Sequence, residues 1–542
     1  MEMDLEPAGR LVERFVSETR WHARPIVERD SLKAVLSPTG ALLWVDQQAE
    51  KTGAACTFEA PCTEIGAALR RARAGDAVVV RAGTYREALL LKTGGEPDRP
   101  LTLAAYPGEA VVVSGSDPLT DGWRADGTNW ERSWRVSLPM HRSKQRPQDA
   151  FRPELLFVDG LPLRAVFASE KLNAGGTFWV EGEPESPRRI VANFKGQRRP
   201  DSLAIEAGIR PMLLTGADST VRHVRIIGMA FMQAPNSGKD GCVQAVGDHW
   251  EVEENLVAWC NGLGIMVGGH DQTFRGNWAM YNGQMGWSSR THHSLLEDNR
   301  SVGNNWKGYD ARWEAGGGKF VETSYTTIRR HYAAYNQGPG IWLDIDNTNN
   351  IVEGSLVVGN LKAGIMIEYR STHNVVRNNV VYGTRLLDGT GSGIQIQATS
   401  DNRIEMNTVY SNEGDGIRYK HGDIRAVSGG TVFSRNLVLN NGLGPTRAQE
   451  IRVEGTPPPD KPDTYDDNVY GRRGNEDAVF FIAEMPSNDL DTWQRFSQTT
   501  NDRIQAHPRR ALVDVRSADG WRASEEMALS AYGVQLDRVG PR

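Results

Sequence analysis

A glycine-led line of five residues recurs along the chain as GIMVG, GWSSR, GKFVE, GIWLD, GIMIE, GIQIQ and GIRYK, opening at Gly264, Gly286, Gly318, Gly340, Gly364, Gly393 and Gly416. Each line is followed 13 to 20 residues later by an asparagine or a substitute for one: Asn277, Asn299, His331, Ser355, Asn379, Asn407 and Asn436. A segment around Asn255 starts the series, and the cleanest intervals are 22 to 24 residues. Such a period constrains the fold more than any local propensity, because every unit must offer its neighbours the same surface. It is too short for a two-helix repeat and fits one coil of three short strands. The intervening text alternates, as in NVVRNNVVYG and NRIEMNTVYS, with no helical period. The expected fold is therefore all-β: a right-handed parallel β-helix, a pectate-lyase-like solenoid. Ile, Val and Leu face inward, and Asn sits at the bends, where its amide would pair with turn backbone and with the Asn above and below. That ladder is assigned structure and no chemistry.

The period also organises the rest of the chain. Residues 1–42 form an N-terminal helical extension, and 43–116 a cap with the first coils, including a short helix over Thr63 to Arg73 that covers the open end of the solenoid. Residues 117–216 break the period with strand-and-turn text and are expected to form an inserted β-sandwich. The main β-helix with its groove spans 217–445, and 446–542 hold C-terminal coils and a tail with a short helix near Asp489 to Thr499. Between Asn299 and His331 the interval lengthens to 32, so a loop is inserted. Its text, KGYDARWEAGGGKF, suits a loop leaning over the strand face that carries Asp344.

With 542 residues, 39% hydrophobic, 57 Gly and 8% aromatic, the composition suits a Gly-turned solenoid, and a formal charge of −6 argues against nucleic acid as a partner. No apolar run reaches 18 residues, so no membrane span is expected. The N-terminus, MEMDLEPAGRLVERF, shows no apolar signal region, which suggests a cytoplasmic protein or a mature exported form. A homo-oligomer is compatible with all of this. Cys56 and Cys62 would either close a small loop or stay free, whereas Cys242 and Cys260 are expected as buried free thiols. The spacings offer no zinc site, and the expected cofactor is none.

Two consecutive lines, GPGIWLDID and KAGIMIEYR, align without a gap and place Asp344 and Glu368 at one position, 24 residues apart. On neighbouring strands the two acids would project side by side at about 4.8 Å, near the roughly 5–5.5 Å of a retaining glycosidase's carboxyl pair. Residues two and four after each Gly face outward. One outward column then reads Met266, Ser288, Trp342, Met366, Gln395, Arg418, and the other Gly268, Arg290, Asp344, Glu368, Gln397, Lys420. Two stacked carboxylates repel, which a merely structural ladder would avoid. Their mutual repulsion would also split their pKa values, leaving one acid protonated and the other ionised near neutrality. Asp344 and Glu368 are thus the candidate catalytic pair. Trp342, Trp287 and Trp313 are candidate sugar platforms, with Glu314 in the inserted loop beside Trp313. Lys319 is placed to orient or balance Asp344, or to serve as a lyase base. Asp346, at the strand end, is a candidate contact or a turn residue. Gln395, Arg290 and Arg418 complete the groove, where Arg290, Arg370, Arg418 and Lys420 would suit an anionic sugar.

At these residues the chain resembles glycoside hydrolase family 120, the β-helix β-xylosidases. The resemblance spans roughly Leu43 to Arg435 and includes GDAVVVRAGTYRE, AYPGEAVVVSGSD, FVDGLPL, the inserted sandwich, GGGKF and, most specifically, GIWLD followed one coil later by an acid. The resemblance implies Asp344 as nucleophile and Glu368 as acid/base. After the two acids the chain departs from the family, with Ile345 and Asp346 where an aromatic is usual and YRST in place of a VNHG-like run. Xylose specificity is therefore not carried over.

These observations lead first to a retaining glycosidase acting on oligosaccharides or polysaccharide-derived glycosides, without a cofactor. A polysaccharide lyase or uronate epimerase is the alternative, with Lys319 or an Arg as base and Ca²⁺ held by Asp344, Asp346 and Glu368. A non-catalytic sugar-binding β-helix is the third reading.

Overall fold

The computed structural model describes residues 11–24, 29–141, 152–423, 426–445, 448–472, 479–482, 485–487 and 489–506. The chain forms two compact units, Met1–Gly269 with Asn277–Gln284, and His270–Gly276 with Met285–Arg542.

The first unit begins with helices Leu11–Glu18 and Arg29–Leu36. Trp21, Leu32 and Leu36 bury against Trp44, Val79, Ala104 and Ile227 on strands of the first coils. A third helix, Ile65–Leu69, has its first N–H groups satisfied by Glu87, whose Oε1 accepts from Ile65 N and Oε2 from Gly66 N, both at 2.8 Å. The coils themselves pair in parallel, as where Leu42–Val45 lies in register with Ala77–Val80. Two further sheets lie within residues 116–208: one antiparallel, and one joining Arg164–Ala165, Thr177–Glu183, Ser186–Asn193, Asn129–Ser133 and Arg124–Asp126. They share a core of Trp134, Leu156, Phe178, Ile190, Phe194 and Ile205. Both cysteine pairs are bonded. Cys56 joins Cys62, and Cys242 joins Cys260, correcting the expectation of free thiols at the latter pair. Their Cα atoms are 6.1 Å apart, within a disulfide's span, because adjacent coils bring the two residues together.

The second unit is built of parallel ladders that repeat once per coil. The strands that matter for function are β1 (Met285–His292), β2 (Gly316–Val321), β3 (Ile341–Asp344), β4 (Ala363–Glu368), β5 (Ser392–Gln397), β6 (Asp415–Lys420) and β7 (Ile451–Glu454), hydrogen-bonded in that order. Their inward residues stack like on like. Ile341, Ile365, Ile394, Ile417 and Ile451 form one interior column, and Leu343, Ile367, Ile396, Tyr419 and Val453 the next. All are buried, and each aliphatic member contributes about 1.5–3 kcal/mol of transfer free energy.

Buried asparagines close the bends. Asn379 Nδ2 donates to Val352 O at 2.9 Å and to Asn407 Oδ1 at 3.0 Å, while its own Oδ1 accepts from Ser355 N at 2.9 Å. Asn407 repeats the pattern with Asn436, and Asn436 with Asn468. Parallel runs link Asn304, Asn336 and Asn360, and Asn350, Asn374 and Asn402. The last described helix, Leu490–Ser497, is N-capped by Asp489 and buries Trp493, whose Nε1 donates to Asp502 Oδ2 at 2.8 Å. Among the described residues no helix is long and apolar enough to cross a membrane.

Candidate active site

The outer face of β2–β6 carries the site, and the strand register assigns each side chain its place. One outward column runs Ser288, Lys319, Trp342, Met366, Gln395, Arg418. In the second, Val321 faces Asp344 and Glu368 faces Gln397, which faces Lys420. Leu343 pairs with Ile367, so Asp344 and Glu368, the next residues on β3 and β4, continue that register one inter-strand step apart. The loop inserted before β2 therefore shifts nothing further along. The strand after it, β2, adds Lys319 and Val321 to the two columns.

Asp344 is 5% exposed and fully engaged. Its Oδ2 lies 2.8 Å from Lys319 Nζ, and its Oδ1 accepts from Ile345 N at 2.9 Å. Lys319 Nζ also donates to the Trp313 carbonyl at 2.8 Å and sits 4.3 Å from the centre of the Trp342 ring. The loop thus reaches the acid pair through Trp313. Asn305 shapes it, accepting from Tyr309 N at 2.7 Å and donating to Gln337 O at 2.6 Å. Glu314 is half-buried in the same loop, its N–H donating to Asp310 O, and Arg312 pairs with Asp388.

Glu368 lies in a different environment. Burial is the largest influence on its carboxyl and the charge of Asp344 adds to it. Lys362, Lys319 and a hydrogen bond from Gln397 oppose them, and the net effect pushes its pKa up to about 7. Gln397 Nε2 donates to Glu368 Oε2, and Gln397 Oε1 accepts from Gln395 Nε2 at 3.0 Å, which fixes the amide's orientation. One acid is ion-paired and the other stands near half-protonation at neutrality.

Trp342 is only 1% exposed, packed with Ala363 and Met366, and its indole N–H has no hydrogen-bond partner among the described residues. It forms a buried floor under two ammonium groups, since Lys362 Nζ lies 5.0 Å from the same ring. Several expected contacts are not brought here. Trp287, also 1% exposed, points into the solenoid, where it meets Phe274 and His331 edge-on and donates to Arg300 O. Arg290 is exposed and pairs with Glu322, and Arg418 pairs with Glu454. Asp346 turns away because Ile345 and Asp346 both adopt left-handed backbone, at φ 44° and 56°. Tyr369 and Arg370 do the same one coil on, at 55° and 60°, so Arg370 Nη2 meets Asp346 Oδ2 at 2.6 Å. Asp346 is accordingly not a third ligand beside Asp344 and Glu368. Among the described residues no three or more His, Cys, Asp or Glu gather to hold a metal ion. Lys362 and Gln397 were not among the expected site residues. Gln397 follows from the column rule, whereas Lys362 stands in a turn that is glycine in neighbouring coils.

This architecture defines a right-handed parallel β-helix protein. A family model described as a right handed beta helix region matches residues 241–385 and 376–453. Among solved structures, the chain is similar to XylC in complex with xylose at 12% identity and a TM-score of 0.50, over 86% of this chain and 82% of that one. It is also similar to the A-module of the Azotobacter vinelandii mannuronan C-5 epimerase AlgE6, at 12% identity and a TM-score of 0.48, over 82% of this chain and 95% of that one. A structure described as a glycoside hydrolase matches at 11% identity and a TM-score of 0.39, over 89% of this chain and 100% of that one. No curated protein matches the sequence.

Proposed function

We propose that this protein is a retaining glycoside hydrolase in which Asp344 is the nucleophile and Glu368 the acid/base. The observation that carries the reading is the stacking of an ion-paired Asp344 beside a Glu368 whose pKa is pushed up to about 7. One column elsewhere in the unit handles charge differently. On another outer face the register runs Arg275, Glu297, Arg329, Glu353, Arg377, Glu405, alternating in sign at every coil. There, although burial works the other way, hydrogen bonds from Arg329, Arg275 and Arg330 bring Glu297 down to about 2. That column stacks opposite charges, coil on coil. The stacking of Asp344 on Glu368 is instead a like pair, held together by the lysines beside it and consistent with a use for the two acids.

In the first half-reaction Asp344 attacks the anomeric carbon as Glu368 gives its proton to the departing glycosidic oxygen. Departure of the aglycone and loss of the proton leave Glu368 ionised, and it then takes a proton from the water that attacks the glycosyl ester. Lys319 holds the Asp344 carboxylate in place, and Gln397 holds that of Glu368. The test is a screen of aryl xylosides, arabinosides, glucuronides and fucosides with wild type and Asp344→Ala. Azide should rescue the variant and give a glycosyl azide of inverted configuration. Unchanged turnover in Asp344→Asn and Glu368→Gln would sink the reading and leave a sugar-binding scaffold.

A further inference from the structure

Lys362 has no part in the double displacement, yet its placement is costly in three ways. It occupies the turn just before β4, and the matching turns before β3, β5 and β6 carry Gly338, Gly391 and Gly414. Coils approach closely there: a β-carbon on Gly338 would run into Ala315 O, and one on Gly414 into Gly391 O. Lys362 instead adopts φ 75°, a left-handed backbone that disfavours any residue with a β-carbon. Its ammonium is partly desolvated, since burial lowers its pKa against the nearby charges of Glu368, Asp310 and Asp344. Unlike that of Lys319, this ammonium makes no hydrogen bond or ion pair with any described residue, and its contact is the face of Trp342 at 5.0 Å. A half-buried cation with its N–H donors unspent is a binding group awaiting an anion.

Its charge also works against the acid beside it, because Lys362 pulls the Glu368 pKa down while the acid/base role needs the proton kept. A substrate that brings its own negative charge to Lys362 removes that conflict: the bound anion cancels the lysine's pull, and Glu368 holds its proton when the glycoside is in place.

We propose that Lys362 receives the carboxylate of a hexuronic acid residue, so that the substrate cleaved at Asp344 and Glu368 is a uronoside. This rests on the glycosidase reading for the bond broken, but not for the anion bound. The structure thereby moves the anion contact from the arginines, which are already paired, to Lys362.

The experiment compares 4-nitrophenyl glucuronide with glucoside, and galacturonide with galactoside, in both anomeric forms. The variants are Lys362→Gly, which suits the left-handed turn and matches the neighbouring coils, and Lys362→Arg. In wild type the uronide should exceed its neutral counterpart in kcat/KM by about 100-fold, the worth of one charge-assisted contact. Lys362→Gly should lose most of that preference, chiefly through a raised KM for the uronide, and Lys362→Arg should restore part of it. Calorimetry with free glucuronate and galacturonate, on wild type and Lys362→Gly, reads the anion site without turnover.

Equal or faster cleavage of neutral glycosides overturns the proposal and leaves the glycosidase intact. If no glycoside is cleaved but a free uronate binds wild type and not Lys362→Gly, the glycosidase reading falls and the anion site stands. An ultraviolet-absorbing unsaturated product that disappears in Lys362→Gly overturns it differently, making Lys362 a proton-abstracting base.

Discussion

Lys319 Nζ lies 2.8 Å from Asp344 Oδ2 and 2.8 Å from the carbonyl of Trp313, so one ammonium joins the inserted loop to the candidate nucleophile. Replacing it by methionine keeps the length of the side chain and removes the charge. Lys319→Met should lower kcat/KM by about 10²–10³-fold, the usual effect of deleting one preorganised electrostatic partner. Lys319 is also one of the two cations holding the Glu368 pKa down. The basic limb of the pH–rate profile should therefore move to higher pH in this variant, and a limb that stays put would separate Lys319 from the acid pair.

The same profile in wild type should fall above about pH 7, where Glu368 gives up its proton. Asp344→Asn removes one of the influences that raise Glu368, so direct titration of Glu368 should give a lower pKa in that variant. Stability should follow the proton. The native state keeps a proton that an unfolded Glu, with its ordinary value of 4.5, releases, so unfolding free energy declines as pH rises from about 4.5 to 7. Glu368→Gln should flatten that slope, measured by urea denaturation across the window.

Trp287 offers a control on the face assignment. Its ring fills the solenoid interior, so Trp287→Ala should cost about 3–5 kcal/mol of stability through the cavity it leaves. The kcat of the protein that remains folded should not change. A selective rise in KM without loss of stability would put Trp287 back among the sugar contacts.

Asn379 tests the bend ladder in the same way. Without its amide, Ser355 N–H and Asn407 Oδ1 lose buried partners. Asn379→Ala should then destabilise by about 2–4 kcal/mol, read from the chemical denaturation midpoint, with catalysis unaffected where the protein is folded.

Much of this arrangement is legible in the spelling of the chain, because the repeat length equals one coil. Counting from each glycine separates inward from outward residues, which is enough to stack Asp344 on Glu368 and to find Gln397. The same count puts Trp287, one residue after Gly286, inside; its sugar-platform reading followed its aromatic character instead of its phase. Lys319 is harder, since the residues inserted between Asn299 and His331 blur the register that the structure resolves by pairing Lys319 with Trp342. The Cys242–Cys260 bond joins a strand residue to a bend residue, a contact that no periodicity encodes. Asp346 and Lys362 depend on left-handed backbone at non-glycine positions, which local sequence does not announce.

Because Asp344 and Glu368 occupy equivalent positions on consecutive strands, the distance between them behaves as a lattice constant of the protein. No loop has to be tuned to maintain it. An acid introduced at Gln397, with Glu368 retained, would recreate the same carboxyl spacing one coil further along. Chemistry on such a scaffold is portable along its axis in whole steps, and what ties it to one coil here is local: a lysine on β2 held by the loop before it, and a turn before β4 that supplies another.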